Sequence, residues 1–235
     1  MKVMHLKIQT GQKVLDLQGH NGDVAALSLN PKDENTFITG SVDRTARMWD
    51  LRTPGCVQTF WGHKADVNSV SVHPSGICSS HIWRCKLDVF LFKGVTFVTC
   101  SEDKTVRLWD IRADQEISQY KAPTANSSFT SVGVSMSGRL LLASSDDSTI
   151  HMWDITGTHL GNLGGHDNRI TQIAVAPAGF AIASCSWDTT VRVWGLWRHQ
   201  QTFRYRIPNY PEIQPNRPLY VKQKKVFLFI ITDSF

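Results

Sequence analysis

The sequence predicts an all-β protein that consists of about four blades of a β-propeller. Three Trp-Asp pairs and one Trp-Gly pair close similar phrases along the chain, at residues 49/50, 109/110, 153/154 and 194/195. The last two Trp-to-Trp spacings are 44 and 41 residues, and one four-stranded blade occupies about 40 to 45 residues. Apolar and polar residues alternate within the phrases, which is typical of half-buried strands separated by tight turns.

Each phrase carries further residues at fixed distances from its tryptophan. An aspartate stands six positions before each tryptophan, at Asp43, Asp103, Asp147 and Asp188. Gly-His pairs at 19/20, 62/63 and 165/166 precede alternating runs such as DVAALSLN. These features together are those of a WD repeat. In the first unit they predict strands over 24–30, 36–41, 46–51 and 56–60, and the other units follow in the same order.

Two units depart from the pattern. The third unit reads KAPTANSSFTSV where a Gly-His pair is expected, so that unit lacks its histidine. The second unit is overlong, because residues 77–95 separate its first two predicted strands. Without these residues the spacing equals that of the fourth unit, so we interpret them as an insertion in a hairpin loop. The insertion is more apolar than a solvated loop normally is.

The chain divides into a leader over residues 1–13, propeller blades over 14–195 and a basic tail over 196–235. The formal net charge is +5, and all of the excess lies in the tail, which we expect to be extended or disordered. The balanced charge of the blade region argues against a nucleic-acid-binding surface there. The fourth unit needs an outer strand. We prefer QTFRYRI in the tail over the orphan strand 14–18 for this position.

A catalytic interpretation of the repeated polar residues is possible but disfavoured. His20, Ser41 and Asp43 have the side chains of a nucleophilic triad, which would need to occur once, beside a pocket. The set instead recurs in successive units. We therefore predict that these side chains satisfy one another and brace the turns. The predicted structural residues are His20, Asp43, Trp49, His63, Asp103, Trp109, Asp147, Trp153, His166, Asp188 and Trp194.

No other pattern predicts catalysis, a metal or a cofactor. Pairs such as His63 with Asp66 supply two ligands, whereas a closed zinc site needs four. The five cysteines form no metal-binding or disulfide framework, so we expect reduced thiols in a cytosolic protein. Phosphate-binding loops are absent from the sequence. We therefore expect a protein that is not an enzyme.

Several longer phrases resemble the β subunit of heterotrimeric G proteins. They are GHNGDVAALSL, DIRADQE (110–116), SGRLLLASSDD (137–147) and GHDNRITQIAV. FITGSVD and QYKAPTANSSFTS look closest to the invertebrate photoreceptor type. The resemblance implies a seven-bladed propeller, of which this chain supplies about four blades. Because a closed four-blade ring needs sharper wedges than these side chains provide, we expect an open arc.

The resemblance also implies a function as a scaffold. Members of the family bind a GDP-bound α subunit and effectors on one propeller face, and a γ subunit through an N-terminal helix that we do not find here. The protein would be cytoplasmic, peripheral to the inner face of the plasma membrane through partners, and impaired by truncation. The implied partner-binding residues are Asp23, Asp66, Asn68, Glu102 and Trp187. The alternative is a generic WD-repeat adaptor in a multiprotein assembly, which would not bind GDP-bound α.

Overall fold

All regular elements in the described part of the chain are β-strands. The computed structural model describes residues 2–6, 13–74, 96–123, 127–176, 181–195 and 203–206. The predicted insertion, 77–95, and most of the tail lie outside these residues. Four antiparallel sheets of four strands each form the body of the protein, and a fifth sheet has two strands.

The four-stranded sheets are propeller blades, each an up-and-down meander. We name the strands of a blade a to d from the innermost outward. Blade 1 consists of β3 (Val24–Leu29), β4 (Thr36–Ser41), β5 (Thr45–Asp50) and β6 (Cys56–Trp61). Blade 2 consists of β7 (Val67–Val72), β8 (Thr96–Ser101), β9 (Val106–Asp110) and β10 (Gln115–Tyr120). The four strands predicted for the first unit therefore agree with the structure to within one residue at each end.

The third and fourth blades repeat this order. Blade 3 consists of β11 (Phe129–Val134), β12 (Leu140–Ser145), β13 (Thr149–Asp154) and β14 (His159–Gly164). Blade 4 consists of β15 (Ile170–Val175), β16 (Ala181–Ser186), β17 (Thr190–Gly195) and β18 (Phe203–Arg206). The predicted all-β propeller of about four blades is confirmed.

Apolar side chains between neighbouring blades form the core. Ile38 and Phe60 of blade 1 pack with Val70, Phe97 and Trp109 of blade 2. Equivalent clusters join blade 2 to blade 3, and blade 3 to blade 4. The innermost strands β3, β7, β11 and β15 contact one another in that order and line a groove of about 440 Å³. Both faces of the middle blades, 2 and 3, are therefore packed against neighbouring blades.

The tail supplies the outer strand of blade 4, as the sequence favoured. Strand β18 pairs with β17, and Tyr205 lies opposite Val191. Phe60 lies opposite Ala46 at the same position of blade 1. The alternative, in which residues 14–18 complete blade 4, is wrong. Those residues belong to β2 (Lys13–Gln18), which pairs with β1 (Lys2–Leu6) in the two-stranded sheet.

Candidate functional site

A chain of hydrogen bonds links the tryptophan, the histidine and the turn aspartate of blade 1. The indole Nε1 of Trp49 donates to Thr39 Oγ1 over 2.8 Å. Thr39 Oγ1 lies 2.7 Å from His20 Nε2, and His20 Nδ1 lies 2.8 Å from Asp43 Oδ2. Burial lowers the pKa of His20, and a neutral imidazole fits this chain: the Thr39 hydroxyl donates to Nε2, and Nδ1–H donates to the carboxylate.

Blades 2 and 4 repeat the same arrangement of four side chains. The His Nδ1–Asp distances are 2.8 Å in blade 2 and 2.7 Å in blade 4, and the indole–hydroxyl distance is 2.9 Å in both. We call each set a His–Asp network. The sets are His20, Thr39, Asp43 and Trp49; His63, Thr99, Asp103 and Trp109; and His166, Ser184, Asp188 and Trp194.

The hydroxyl group that contacts His20 belongs to Thr39 and not to Ser41, the serine of the hypothetical triad. Thr39 contacts His20, whereas the Ser41 hydroxyl accepts a hydrogen bond from the Asp43 amide at 3.2 Å. Side chains alternate along a strand, so Thr39 and Ser41 lie on the same face of β4. Ser41, however, is the last residue of β4, where the chain enters the turn. The serine is therefore held by the turn backbone and is not activated by the imidazole.

The turn aspartate is the centre of each network. Asp43 Oδ1 accepts from the amide and the hydroxyl of Thr45 at 3.0 and 2.6 Å, and Oδ2 accepts from the Asn21 amide at 3.0 Å. Burial alone would raise the pKa of Asp43, but the hydrogen bonds from Thr45, His20 and Asn21 outweigh it and lower the pKa to about 2. The carboxylate is fully engaged in holding the turn and is not available as a proton acceptor for a substrate.

The residue after each aspartate has a left-handed backbone, which shows what the networks stabilise. The φ angles lie between 65° and 69° at Arg44, Lys104, Ser148 and Thr189. Residues other than glycine adopt this conformation at a cost, and the β-branched Thr189 more than most. The aspartate offsets that cost by binding the amide that follows the strained residue.

The third blade satisfies its turn aspartate without a Gly-His pair. The Ser127 hydroxyl donates to Asp147 Oδ2 at 3.0 Å, and Thr149 donates to Oδ1 at 2.6 Å. His151 is buried and stacks on Trp153 with ring centroids 5.7 Å apart. Burial lowers the pKa of His151. Sequence reasoning missed His151, although it occupies the strand c position that Arg47, Arg107 and Arg192 occupy in the other blades.

The b–c turns lie along one edge of the propeller, which we call the turn rim. It consists of residues 42–44, 102–104, 146–148 and 187–189 and the loops that precede the a strands. In every blade the amide of the residue before the turn aspartate donates to the loop carbonyl at 3.0 Å. These pairs are Val42 with Asp23, Glu102 with Asp66, Asp146 with Ser128, and Trp187 with Arg169. Four of the five predicted partner-binding residues, Asp23, Asp66, Glu102 and Trp187, thus lie on this rim.

The fifth predicted residue, Asn68, lies elsewhere. It is half-buried on β7 and lines the inner groove. Its Nδ2 donates to the carbonyl of Phe129 in blade 3 at 2.8 Å. Thr130 makes the matching bond from blade 3 to the carbonyl of Ile170 at 2.6 Å. This geometry gives Asn68 a part in joining two blades.

A group of three side chains on the rim connects blades 3 and 4. Trp187 is 61% exposed, and the Arg169 guanidinium lies 5.4 Å from the centre of its ring. Arg169 Nε is 2.8 Å from Asp146 Oδ1, an ion pair between the two blades. Sequence reasoning missed Arg169 and Asp146. Aligning the four phrases on their turn aspartates could have found Asp146, because it precedes its aspartate as Trp187 and Glu102 do.

Two other features are absent from the described residues. They contain no group of three or more His, Cys, Asp or Glu side chains arranged to hold a metal ion. They also contain no helix that is long and apolar enough to span a membrane. Cys100 on β8 is fully buried, and burial raises the pKa of its thiol.

Comparisons with known proteins agree with the geometry. The family model described as "WD domain, G-beta repeat" matches residues 11–50, 54–110, 115–154 and 157–195. A guanine nucleotide-binding protein subunit beta from Zea mays is 33% identical over 210 residues, which cover 83% of this chain and 50% of the relative. Subunit beta-5b from Danio rerio is 38% identical over 189 residues, covering 80% of this chain and 43% of the relative.

A relative from Arabidopsis thaliana, also named guanine nucleotide-binding protein subunit beta, is 34% identical over 192 residues, covering 78% of this chain and 46% of the relative. The chain thus spans about half the length of the curated relatives it matches. Four matched repeats, four blades and three His–Asp networks lead to one assignment: the chain belongs to the WD-repeat family and is similar to G-protein β subunits.

Proposed function

We propose that this chain is a non-catalytic scaffold of the heterotrimeric G-protein β type whose turn rim binds a GDP-bound α subunit. Support comes from the relatives, whose names describe β subunits of guanine nucleotide-binding proteins. The observation that carries the proposal is the exposed Trp187, held between Arg169 and the rim backbone. The proposal includes the γ subunit and effectors as further partners, and a cytoplasmic location at the membrane through those partners.

The rim has the physical properties of a protein-binding surface. Tryptophan and arginine are among the residues enriched in interface hot spots, and Trp187 lies beside Arg169. The Trp187 backbone is already fixed by the hydrogen bond to Arg169 and by the Asp188 turn, so ordering it on binding costs little entropy. Asp66 and Glu102 lie side by side on blade 2 and supply acidic groups, which would pair with basic residues of a partner.

Binding of a purified α subunit tests this function. The dissociation constant for GDP-loaded α would be measured by calorimetry, with and without γ, for the parent chain, Trp187→Ala and Leu160→Ala. Leu160 is the control because it is 52% exposed but lies on the outer strand β14, at the end away from the turn rim. We expect Trp187→Ala to weaken binding at least tenfold, about 1.4 kcal/mol, and Leu160→Ala to have little effect.

Two results would contradict the proposal. Equal affinities of the Trp187→Ala and Leu160→Ala variants would show that Trp187 on the rim is not part of the interface. Failure of the folded parent chain to bind GDP-bound α in either condition would favour a generic WD-repeat adaptor instead.

A further inference from the structure

Asn21 and Gly22 form the only Asn-Gly pair in the sequence. They lie in the loop between β2 and β3, directly after the network histidine of blade 1, and Asn21 is exposed. Its backbone amide binds Asp43, as the amides of Lys64 and Asp167 bind the turn aspartates of blades 2 and 4. Lys64 and Asp167 are exposed although a complete blade precedes each of them. Exposure is therefore a property of this loop position.

The Asn21 side chain differs from the other asparagine side chains that the structure describes. Each of these forms a side-chain hydrogen bond; they are Asn30, Asn35, Asn68, Asn162 and Asn168. Within the described residues, the Asn21 carboxamide forms no hydrogen bond, and the Gly22 amide donates none. The carboxamide and the neighbouring backbone nitrogen are thus both available to react with each other.

Close packing explains why glycine follows Asn21. A Cβ atom at position 22 would lie 2.6 Å from Val42 Cγ2 and 3.0 Å from the Asp43 backbone nitrogen. Val42 and Asp43 belong to the braced turn, so a side chain at position 22 would have to displace that turn. Glycine also has no side chain to hinder attack by its own backbone nitrogen. The packing of blade 1 therefore requires the neighbour that makes an asparagine most reactive.

We propose that Asn21 is a site of spontaneous deamidation and isoaspartate formation in the folded protein. The Gly22 amide nitrogen loses its proton to solvent and attacks Asn21 Cγ, and the side-chain nitrogen leaves as ammonia. Water opens the resulting cyclic imide at either carbonyl carbon, which gives aspartate or isoaspartate at position 21. The net reaction consumes one water molecule and releases one ammonia molecule, so it needs no enzyme and no oxidant. It is independent of α-subunit binding.

The modification acts on the turn of blade 1. A carboxylate at position 21 places a second negative charge near Asp43, whose Oδ2 lies 3.0 Å from the Asn21 nitrogen, and the two like charges repel. Isoaspartate also lengthens the backbone by one carbon atom before Asp23, whose carbonyl accepts a hydrogen bond from the Val42 amide at 3.0 Å. Both changes weaken the hydrogen bonds that hold the turn, so deamidation should destabilise the blade.

Timed incubation of the full chain at mildly alkaline pH, followed by trypsin digestion and mass spectrometry, tests the site. Asn21 and Asn30 occur in the same expected tryptic peptide, residues 14–32. Asn30 is the internal control, because Pro31 has no amide hydrogen and cannot attack as glycine does. We expect deamidation at Asn21 to be at least tenfold faster than at Asn30 or Asn168. Labelling by an isoaspartyl methyltransferase should detect isoaspartate as a product.

Asn21→Gln is the matched variant for the effect on stability. Ring closure by glutamine is slower, and the exposed side chain can be exchanged without removing the backbone hydrogen bond to Asp43. The melting temperature of the parent chain should fall by about 2 to 4 °C on incubation, whereas that of Asn21→Gln should stay constant.

Two results would overturn the proposal. One is deamidation at Asn21 that is no faster than at Asn30. The other is an intact Asn21 in the folded chain under conditions in which the urea-unfolded chain deamidates, because the fold would then protect the site. An equal fall in melting temperature for the parent chain and Asn21→Gln would refute the effect on blade 1. Binding of the α subunit at the turn rim is measured separately, so the two proposals can fail independently.

Discussion

Blades 2 and 3 have the same order of four strands but different polar interiors. Both turn the chain through a left-handed residue, Lys104 in one and Ser148 in the other. In blade 2 the aspartate accepts hydrogen bonds from His63, the Lys64 amide and Thr105. In blade 3 no Gly-His pair exists in the sequence, and the aspartate accepts from Ser127 and Thr149.

This difference shows which part of the repeat the fold needs. The constant feature is a turn aspartate whose carboxylate oxygens accept hydrogen bonds, and the donor can be an imidazole or a hydroxyl. If the histidine served a reaction, its loss would not be compensated by a serine that binds the same carboxylate. The networks therefore act as braces that hold the turns of the rim.

Removing the turn aspartate should reveal the largest difference in stability between blades 2 and 3. The Asp103 side chain is 5% exposed and the Asp147 side chain is 35% exposed. Asp103→Ala leaves His63 and the Lys64 amide without an acceptor, which should lower the free energy of unfolding by about 3 kcal/mol. Asp147→Ala, whose partners reach solvent, should cost about 1 kcal/mol. Urea denaturation at pH 7 measures both, and equal costs would break the comparison.

Removing a network histidine should have the next largest effect. His20→Ala deletes the hydrogen bonds to Thr39 and Asp43, and we expect a loss of about 2 kcal/mol. For a chain of this size that corresponds to roughly 4 to 8 °C in melting temperature. His159→Ala is the control, because His159 is half-buried in blade 3 and forms an exposed hydrogen bond with Asn162. A melting temperature unchanged by His20→Ala would contradict the bracing role.

Acid should weaken the fold in two stages. Burial lowers the pKa of His20 and His151 below 6.5, so the unfolded chain takes up these protons first and stability falls as pH drops below about 6.5. Hydrogen bonds lower the pKa of Asp43 to about 2 and also lower that of Asp103. Their contribution is present above about pH 4 and is lost as pH falls below it.

Urea denaturation between pH 7 and pH 3 measures both stages. The Asp103→Asn variant should flatten the second stage more than Asp147→Asn does, because the Asp103 carboxylate is the more buried. A parent chain that became more stable between pH 7 and pH 5 would refute this account of the buried histidines.

The smallest expected effect concerns the junction between blades 1 and 2. Asn68 and Thr130 donate side-chain hydrogen bonds to the next blade, but blade 1 has Ala25 at this position. Ala25→Thr should restore a bond to the Val67 carbonyl and stabilise the protein by about 0.5 to 1 kcal/mol. Ala25→Val has the same shape without the hydroxyl and is the control in a thermal unfolding comparison. An equal gain in the two variants would attribute it to side-chain shape and not to the hydrogen bond.

The sequence predicted the blades well because period-two alternation and the Trp and Asp spacings are local signals. It placed Asp43, Asp103 and Asp188 in turns and paired each with a histidine more than 20 residues away, since the repeat supplies that relation. It also favoured the tail segment that forms β18. These features depend on patterns that recur along the chain.

Features that depend on one particular contact were missed. Strand β1 lacks the Trp-Asp pair, so nothing in residues 1–13 indicated a strand. The resemblance implied a partner-binding role for Asn68 but gave no sign of its hydrogen bond from β7 to the carbonyl of Phe129 in the next blade. The Trp187, Arg169 and Asp146 group requires two blades to be brought together, which single-repeat spacing does not describe.

The most direct test of the central claim is a double-mutant cycle between His63 and Asp103. The free energy of unfolding would be measured in urea for the parent chain, His63→Ala, Asp103→Ala and the double variant. Because the imidazole and the carboxylate brace one turn, their effects should be strongly non-additive, with a coupling of about 2 kcal/mol. A coupling near zero would show that the two side chains do not act together in holding the blade, and would contradict the account.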